Sequence, residues 1–366
     1  MSHLRILFLL AVGLLLGTSP VLAANYAVGS RKPSLPSYAT ISAAVSGVPP
    51  FSTVLVCPGT YPDQVTIAQP LTLKGITSAN AGQAVITVPG SGLGFVTTGL
   101  GYSIAAMVNV TAGPVNISDI TVDGAGNTVP SGSWFAGFLY NDGSSGTVNE
   151  ITARNICCTY GGFGVWAENA NATYESLTIA NSSFHDIDDS AIITFGNTLV
   201  ATLKGNTVEF GYSQIQFYSG GSLTANVLNG GYFGMFVSPP VPVTISGNTV
   251  NNETYGIVAC CGVTATSNKI SNAYYGIFDN GGGGNTYKSN AITKVNVGIE
   301  FACQSPTVFG NTINDATTGL DNVSASFSGA NSFNNVATLR TNCGSNAIHG
   351  PDLPAPHSGP LRAPAH

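Results

Sequence analysis

The chain has 366 residues, 43% of them hydrophobic, with only 8% charged, 45 glycines and a net charge of −6. That hydrophobic content suffices for a continuous core, which excludes a disordered chain of low hydrophobicity and high charge. So much glycine with so little charge argues against a helical enzyme, and a negative balance without any basic run argues against a nucleic-acid partner.

The first element is an address. Arg5 precedes an apolar run over 6–17, and Val21, Leu22 and Ala23 supply a small-residue cleavage site, so residues 1–23 are expected to be a secretory signal peptide. The run is too short for a comfortable membrane span, and no other long apolar stretch follows. The mature chain is therefore expected to be secreted, or to stay in the periplasm or cell envelope, as a monomer without a membrane span. Residues 24–37, with Arg31, Lys32, Pro33 and Pro36, read as a linker, and 38–343 as one domain.

At the start of that domain, Ile41, Ala44, Val45 and Val48 fall on one face of a short helix that can cap the open end of a stacked core. Strands are expected over 52–56, 65–67 and 71–75, with Pro58 and Gly59 turning the chain between the first two. The succession Thr40-Ile41-Ser42-Ala43-Ala44-Val45, Pro58-Gly59-Thr60-Tyr61 and Leu71-Thr72-Leu73-Lys74-Gly75 resembles the opening of pectinesterases and NosD-like β-helix proteins.

Between about 83 and 181 the strands are spaced irregularly. Residues 117–122 align with 245–250, and 151–156 read as the next rung; the steps from Ile120 to Arg154 and from Arg154 to Ser182 are 34 and 28 residues, so loops project here. They carry Phe135, Phe138, Tyr140, Phe163 and both tryptophans, Trp134 and Trp166. Loops on a rigid scaffold often bind ligands, which makes the tryptophans candidate substrate contacts; the alternative is that these rings cover a flank.

From 206 the pattern becomes a ladder. Asn206, Asn226, Asn248, Asn268, Asn290 and Asn311 recur at steps of 20, 22, 20, 22 and 21, and each is followed eight residues later by Gln214, Gly234, Gly256, Gly276, Gly298 or Gly319. Apolar residues keep fixed offsets, as in Val250 and Ile257 or Ile270 and Ile277. Two registers advancing together with a period near 21 are the sequence form of a β-solenoid, whose coils bury inward side chains only by stacking. Asn tolerates the left-handed conformation at a turn and can form an amide ladder, while glycine removes the Cβ at a bend. The repeat resembles the right-handed parallel β-helix of the pectin-lyase-like superfamily, which implies an all-β solenoid with a short N-terminal capping helix.

One constellation could carry chemistry. His185 lies in Phe184-His185-Asp186-Ile187-Asp188-Asp189-Ser190, with three of the chain's seventeen acids. If Ser182 is equivalent to Asn206, His185 and Glu209 share a position on successive coils, roughly 4.8 Å apart by strand spacing. Arg154 and Lys204 lie near the starts of the flanking rungs and are candidate substrate contacts. Such an acid and base could serve glycosidic-bond hydrolysis, making His185, Asp186, Asp188, Asp189 and Glu209 the candidate catalytic set. Asp188-Asp189-Ser190-Ala191-Ile192 resembles the double-aspartate strand of polygalacturonases, but that family's other motifs are missing. A solvated, hydrogen-bonded turn accounts for these residues as well.

The seven cysteines form two adjacent pairs, Cys157-Cys158 and Cys260-Cys261, plus Cys57, Cys303 and Cys343; the odd count leaves at least one thiol unpaired in a monomer. Repeat arithmetic sets Cys261 and Cys303 two coils apart, too far for a bridge, and small apolar filling is the expected role. NosD-like resemblance implies periplasmic copper, yet no Cys-x-x-Cys spacing or Met and His cluster supports a metal site, and no cofactor is assigned. Residues 344–366, rich in Pro, Gly and Ala, read as a mobile tail whose His349, His357 and His366 are solvated. Three readings follow: a module that binds extracellular polysaccharide, with Phe233, Tyr255 and Tyr275 lining a groove, although residues at one offset of a solenoid also stack because sheet neighbours pack well; a polysaccharide hydrolase or lyase centred on His185; or a non-catalytic surface scaffold or NosD-like accessory protein.

Overall fold

The computed structural model describes residues 24–77, 82–127, 129–157 and 161–344. The expected signal peptide and nearly all of the tail lie outside them. Among the described residues, twenty-nine strands form one continuous sheet wound on itself, with parallel pairing apart from a local antiparallel contact of Val96–Thr97 with Ser103–Val110. The architecture is a right-handed parallel β-helix.

The coil that starts at Val243 shows the plan. Val243–Ser246 lies in a first sheet and pairs with Val263–Thr266 of the next coil. A turn at Gly247, φ +65°, leads into Thr249–Ala259. Residues 249–251 of that strand belong to a second sheet; after a bend at Asn252, φ +59°, residues 255–259 belong to a third. Ile245, Val250 and Ile257 point inward from the three sheets and are all 0% exposed. Each such burial is worth roughly 1.5–3 kcal/mol, and it exists only because another coil lies above and below.

The asparagine ladder forms, but not for the conformational reason expected. The left-handed residue is the one before each asparagine, as in Gly205, Ala225, Gly247, Ser267, Ser289 and Gly310. The asparagine itself is fully buried, and its oxygen accepts two bonds from the preceding coil: Asn226 N–H and Nδ2 both donate to Asn248 Oδ1 at 2.9 Å. Its Nδ2 in turn donates to Leu223 O at 3.0 Å and Asn268 Oδ1 at 2.9 Å. The glycine column likewise serves close approach rather than the bend, since a Cβ on Gly256 would lie 2.5 Å from Gly276 O.

Helix α1 (Ile41–Gly47) starts at Thr40, whose side chain accepts from Ala43 N–H, and it buries Ile41, Ala44 and Val45 over the first coils. Asn25–Val28, read from the sequence as linker, is a strand paired in parallel with Thr53–Val56, because Ala27 and Val28 have a core to enter. The cysteines differ from the expected apolar filling. Cys260 bonds Cys261, Cys303 bonds Cys343 and Cys157 is also in a disulfide, which leaves Cys57 as the buried free thiol among the described residues.

Candidate functional site

Two outward faces bear on function. On the second sheet, register stacks Asp123, Arg154, His185, Glu209, Asn229 and Asn251 in one column, so His185 and Glu209 are direct neighbours on adjacent coils. Arg154 Nε pairs with Asp123 at 2.8 Å, and His185 Nδ1 lies 2.8 Å from Asp186 Oδ2. Asn155, Ala125 N–H and Arg154 hold Asp123 below the ordinary carboxylate range although partial burial pushes it up. Asp186 sits at the left-handed bend, φ +57°, and is exposed, as is Asp188.

The remaining expected residues lie elsewhere. Asp189 is 5% exposed and turns toward the third sheet, where its Oδ1 accepts from Ser190 Oγ at 2.8 Å and Gln216 Nε2 at 3.2 Å. Lys204 belongs to the first sheet, in register with Ala180 and Thr224. Trp134 and Trp166 stand not on projecting loops, as expected, but on paired strands of the third sheet, Trp134–Tyr140 and Gly162–Glu168. The sequence-read set is thus divided among three faces, and the His185–Glu209–Arg154 column is the part brought together.

The third sheet's outer face is unlike the second's. Its two outward columns include Phe163, Phe233, Tyr255 and Tyr275 in one and Trp166, Gln216, Phe236 and Phe278 in the other. The rings form an unbroken seam. Centroid distances are 6.0 Å for Trp134–Trp166, 5.2 Å for Trp166–Phe195, 5.2 Å for Phe195–Tyr218 and 5.9 Å for Tyr218–Phe236. The seam continues at 5.6 Å to Phe233, 5.2 Å to Tyr255, 4.9 Å to Tyr275 and 5.4 Å to Phe278. All fall in the range that aromatic pairs prefer. At its N-terminal end the seam is covered: Trp166 is 0% exposed under Tyr102 and Leu100, and its Nε1 donates to Glu168 Oε2 at 3.0 Å. From Tyr218 onward, Phe236, Phe278, Tyr212, Tyr232 and Tyr274 are only partly buried, so ring edges and faces reach solvent.

Buried carboxyls flank this seam, and sequence reading missed them. Glu300 and Asp321 follow Phe278 in the same outward column, one coil apart, and are 3% and 1% exposed. Burial holds Glu300 above the ordinary carboxylate range, Asp321 acting in the same direction, although Asn322 Nδ2 donates to Glu300 Oε1 at 2.9 Å. On the bend side, Glu253 reaches over Gly231, where a Cβ would stand 2.9 Å from Oε2 and 3.4 Å from Gln214 Cγ. Burial pushes Glu253 up to about 8 against the pull of the Gly230 and Gly231 amides. Both Glu253 oxygens and both amide atoms of the fully buried Gln214 lack a hydrogen bond of normal geometry. The one available signal was Gln214 standing where the repeat has glycine.

A family model for NosD, described as a periplasmic copper-binding protein, matches residues 147–350. The chain belongs to the NosD family. No curated protein matches it in sequence. Among solved structures, the catalytic domain of a GH87 α-1,3-glucanase in complex with tetrasaccharides is 13% identical, covering 90% of this chain and 67% of that one with a TM-score of 0.60. The periplasmic alginate epimerase AlgG is 13% identical, covering 79% and 77% with a TM-score of 0.50. At such identity the likeness is one of fold. The NosD description raises copper, and the described residues do not fit it. They contain no group of three or more His, Cys, Asp or Glu able to hold a metal ion, His185 is their sole histidine, and Met107 and Met235 are buried in the core. No helix of the described chain is long and apolar enough to cross a membrane.

Proposed function

We propose that this NosD-family chain is an exported β-helix protein that binds polysaccharide along the outer face of its third sheet. The observation that carries the reading is the aromatic seam. Cross-strand ring packing stabilises the sheet in its own right and accounts for the buried Phe233, Tyr255 and Tyr275; the partly exposed Tyr218, Phe236 and Phe278 add ring surface at the solvent, which suits the apolar faces of sugars. The partly exposed rings of Tyr218, Phe236 and Phe278 lie within four rungs, or roughly 15 Å at strand spacing, with the buried Tyr255 and Val258 on the rung between the last two. A glycan array followed by calorimetry on the mature chain tests it: glycan binding weakened by Phe236→Ala and Phe278→Ala is expected, and binding untouched by both variants would discard the seam.

A hydrolytic reading rests on the direct register of His185 and Glu209 beside Arg154. Arg154 is already paired with Asp123, which leaves little positive charge to meet a polyuronate, so a neutral or weakly charged glycan is the substrate class. Release of reducing sugar that disappears in a His185→Ala, Glu209→Gln double variant would support it; unchanged release would remove these residues from any cleavage.

A further inference from the structure

Where the third sheet turns into the next coil, a pocket of about 480 Å3 opens beside the covered end of the seam. Its size lies within the roughly 300–1,000 Å3 of small-molecule sites. One wall is the Phe195–Tyr218 pair, with rings 5.2 Å apart and within 5° of parallel. Leu100, Pro239 and Pro240 add apolar surface, and Cys261 belongs to the lining.

The rim is polar and tied together across coils. Asn169 Nδ2 donates to Thr173 O at 2.8 Å and Thr198 Oγ1 at 3.2 Å, and Thr198 Oγ1 donates to Asn171 O at 2.6 Å. These bonds fix the loops while leaving Asn171 and Asn197 exposed at the mouth, with Ser238 partly so. The far wall is fixed too: Cys261 is bonded to Cys260, and a Cβ on Gly282 would stand 2.3 Å from Cys261 Sγ. None of the residues lining the pocket is Asp, Glu, Lys or Arg.

A rigid site with a stacked aromatic wall, the Asn171 and Asn197 side-chain amides and the Ser238 hydroxyl at its rim, and no charged side chain in its lining suits an uncharged, polyhydroxylated ring with an apolar face. We propose that this pocket binds one neutral pyranose ring, as a chain end or side branch of a glycan lying on the exposed seam. The inference rests on the seam reading above and adds a subsite and a charge class to it.

The test uses the mature full chain, calorimetry at physiological ionic strength, and matched probes: cellohexaose, maltohexaose, mannohexaose, hexagalacturonate and methyl glycosides of glucose and mannose. Asn197→Trp places a large side chain at the mouth from an exposed position, Tyr218→Ala removes part of the wall, and Phe278→Ala alters the seam three rungs away; melting curves identify any variant that fails to fold. The expected result is a neutral hexasaccharide bound at least tenfold more tightly than the uronate, weakened at least tenfold by Asn197→Trp, with the matching methyl glycoside competing only in the unmodified chain. If Phe278→Ala weakens binding while Asn197→Trp and Tyr218→Ala do not, the pocket is wrong and the seam stands. If no probe binds, the seam reading falls and the pocket with it. A uronate bound as tightly as the neutral chains, and lost in Asn197→Trp, overturns the neutral assignment.

Discussion

The outer faces of the second and third sheets are built from the same coils, the same backbone geometry and the same repeat, yet they differ in kind. The second presents Arg154, His185, Glu209, Asn229 and Asn251, side chains that water solvates well. On the third, Phe233, Tyr255 and Tyr275 are buried rather than lining an open groove, and they gather with the partly buried Phe236 and Phe278 into an apolar cluster separate from the interior core. Stacking explains the interior without either face. The polar column gains little from its neighbours, whereas the aromatic seam gains cross-strand packing and still leaves Tyr218, Phe236 and Phe278 partly at the solvent.

The widest separation expected is between inside and outside. Ile257→Asp buries an unpaired charge in the core and should cost about 4 kcal/mol or more, whereas Asn252→Gly, which keeps the left-handed φ of +59° at the exposed bend accessible, should cost less than about 1 kcal/mol. Urea unfolding of both variants checks this, and similar midpoints would contradict the assigned faces. Next comes the ladder: Asn248→Ala removes the acceptor of Asn226 and leaves Leu223 O and Asn268 Oδ1 each short of a donor, for a loss of about 2–3 kcal/mol by the same measurement.

Protonation sharpens the contrast further. Glu253, pushed up to about 8 by burial from its ordinary 4.5, holds its proton more tightly folded than unfolded. Its favourable contribution is therefore full below about 4.5 and is lost as pH rises to about 8. Melting temperature should fall over that window, and Glu253→Gln should flatten the fall. On the seam, Phe236→Ala should weaken glycan binding about tenfold, or 1.4 kcal/mol, with the melting point lowered only modestly. The smallest effect belongs to the polar column, where the His185→Ala, Glu209→Gln double variant should move stability by no more than about 0.5 kcal/mol in a thermal melt.

The sequence made the solenoid legible because a coil of about 21 residues repeats its inward pattern, and Val250 and Ile257 announce their faces by periodicity alone. It also placed His185 against Glu209, since neighbouring rungs inherit their register from the ladder. What it did not reveal is how the coil turns between nearby residues. Lys204 is only nineteen positions from His185, yet the chain passes through the third sheet between them and enters the first. The buried state of Glu253 and Glu300 was equally hidden. Their burial depends on residues one coil away, such as the missing side chain of Gly231, and no local pattern records it.

The asparagine ladder also polarises the molecule. From Asn206 to Asn311 each asparagine oxygen accepts from the preceding coil while its N–H and one Nδ2 hydrogen donate to the oxygen of the following asparagine, so these side-chain amides are aligned head to tail along the solenoid axis. Aligned amide dipoles sum, as they do along an α-helix. The axis therefore carries a fixed internal field with its positive end toward the C-terminal coils, generated entirely by neutral residues in a chain with few charges of its own.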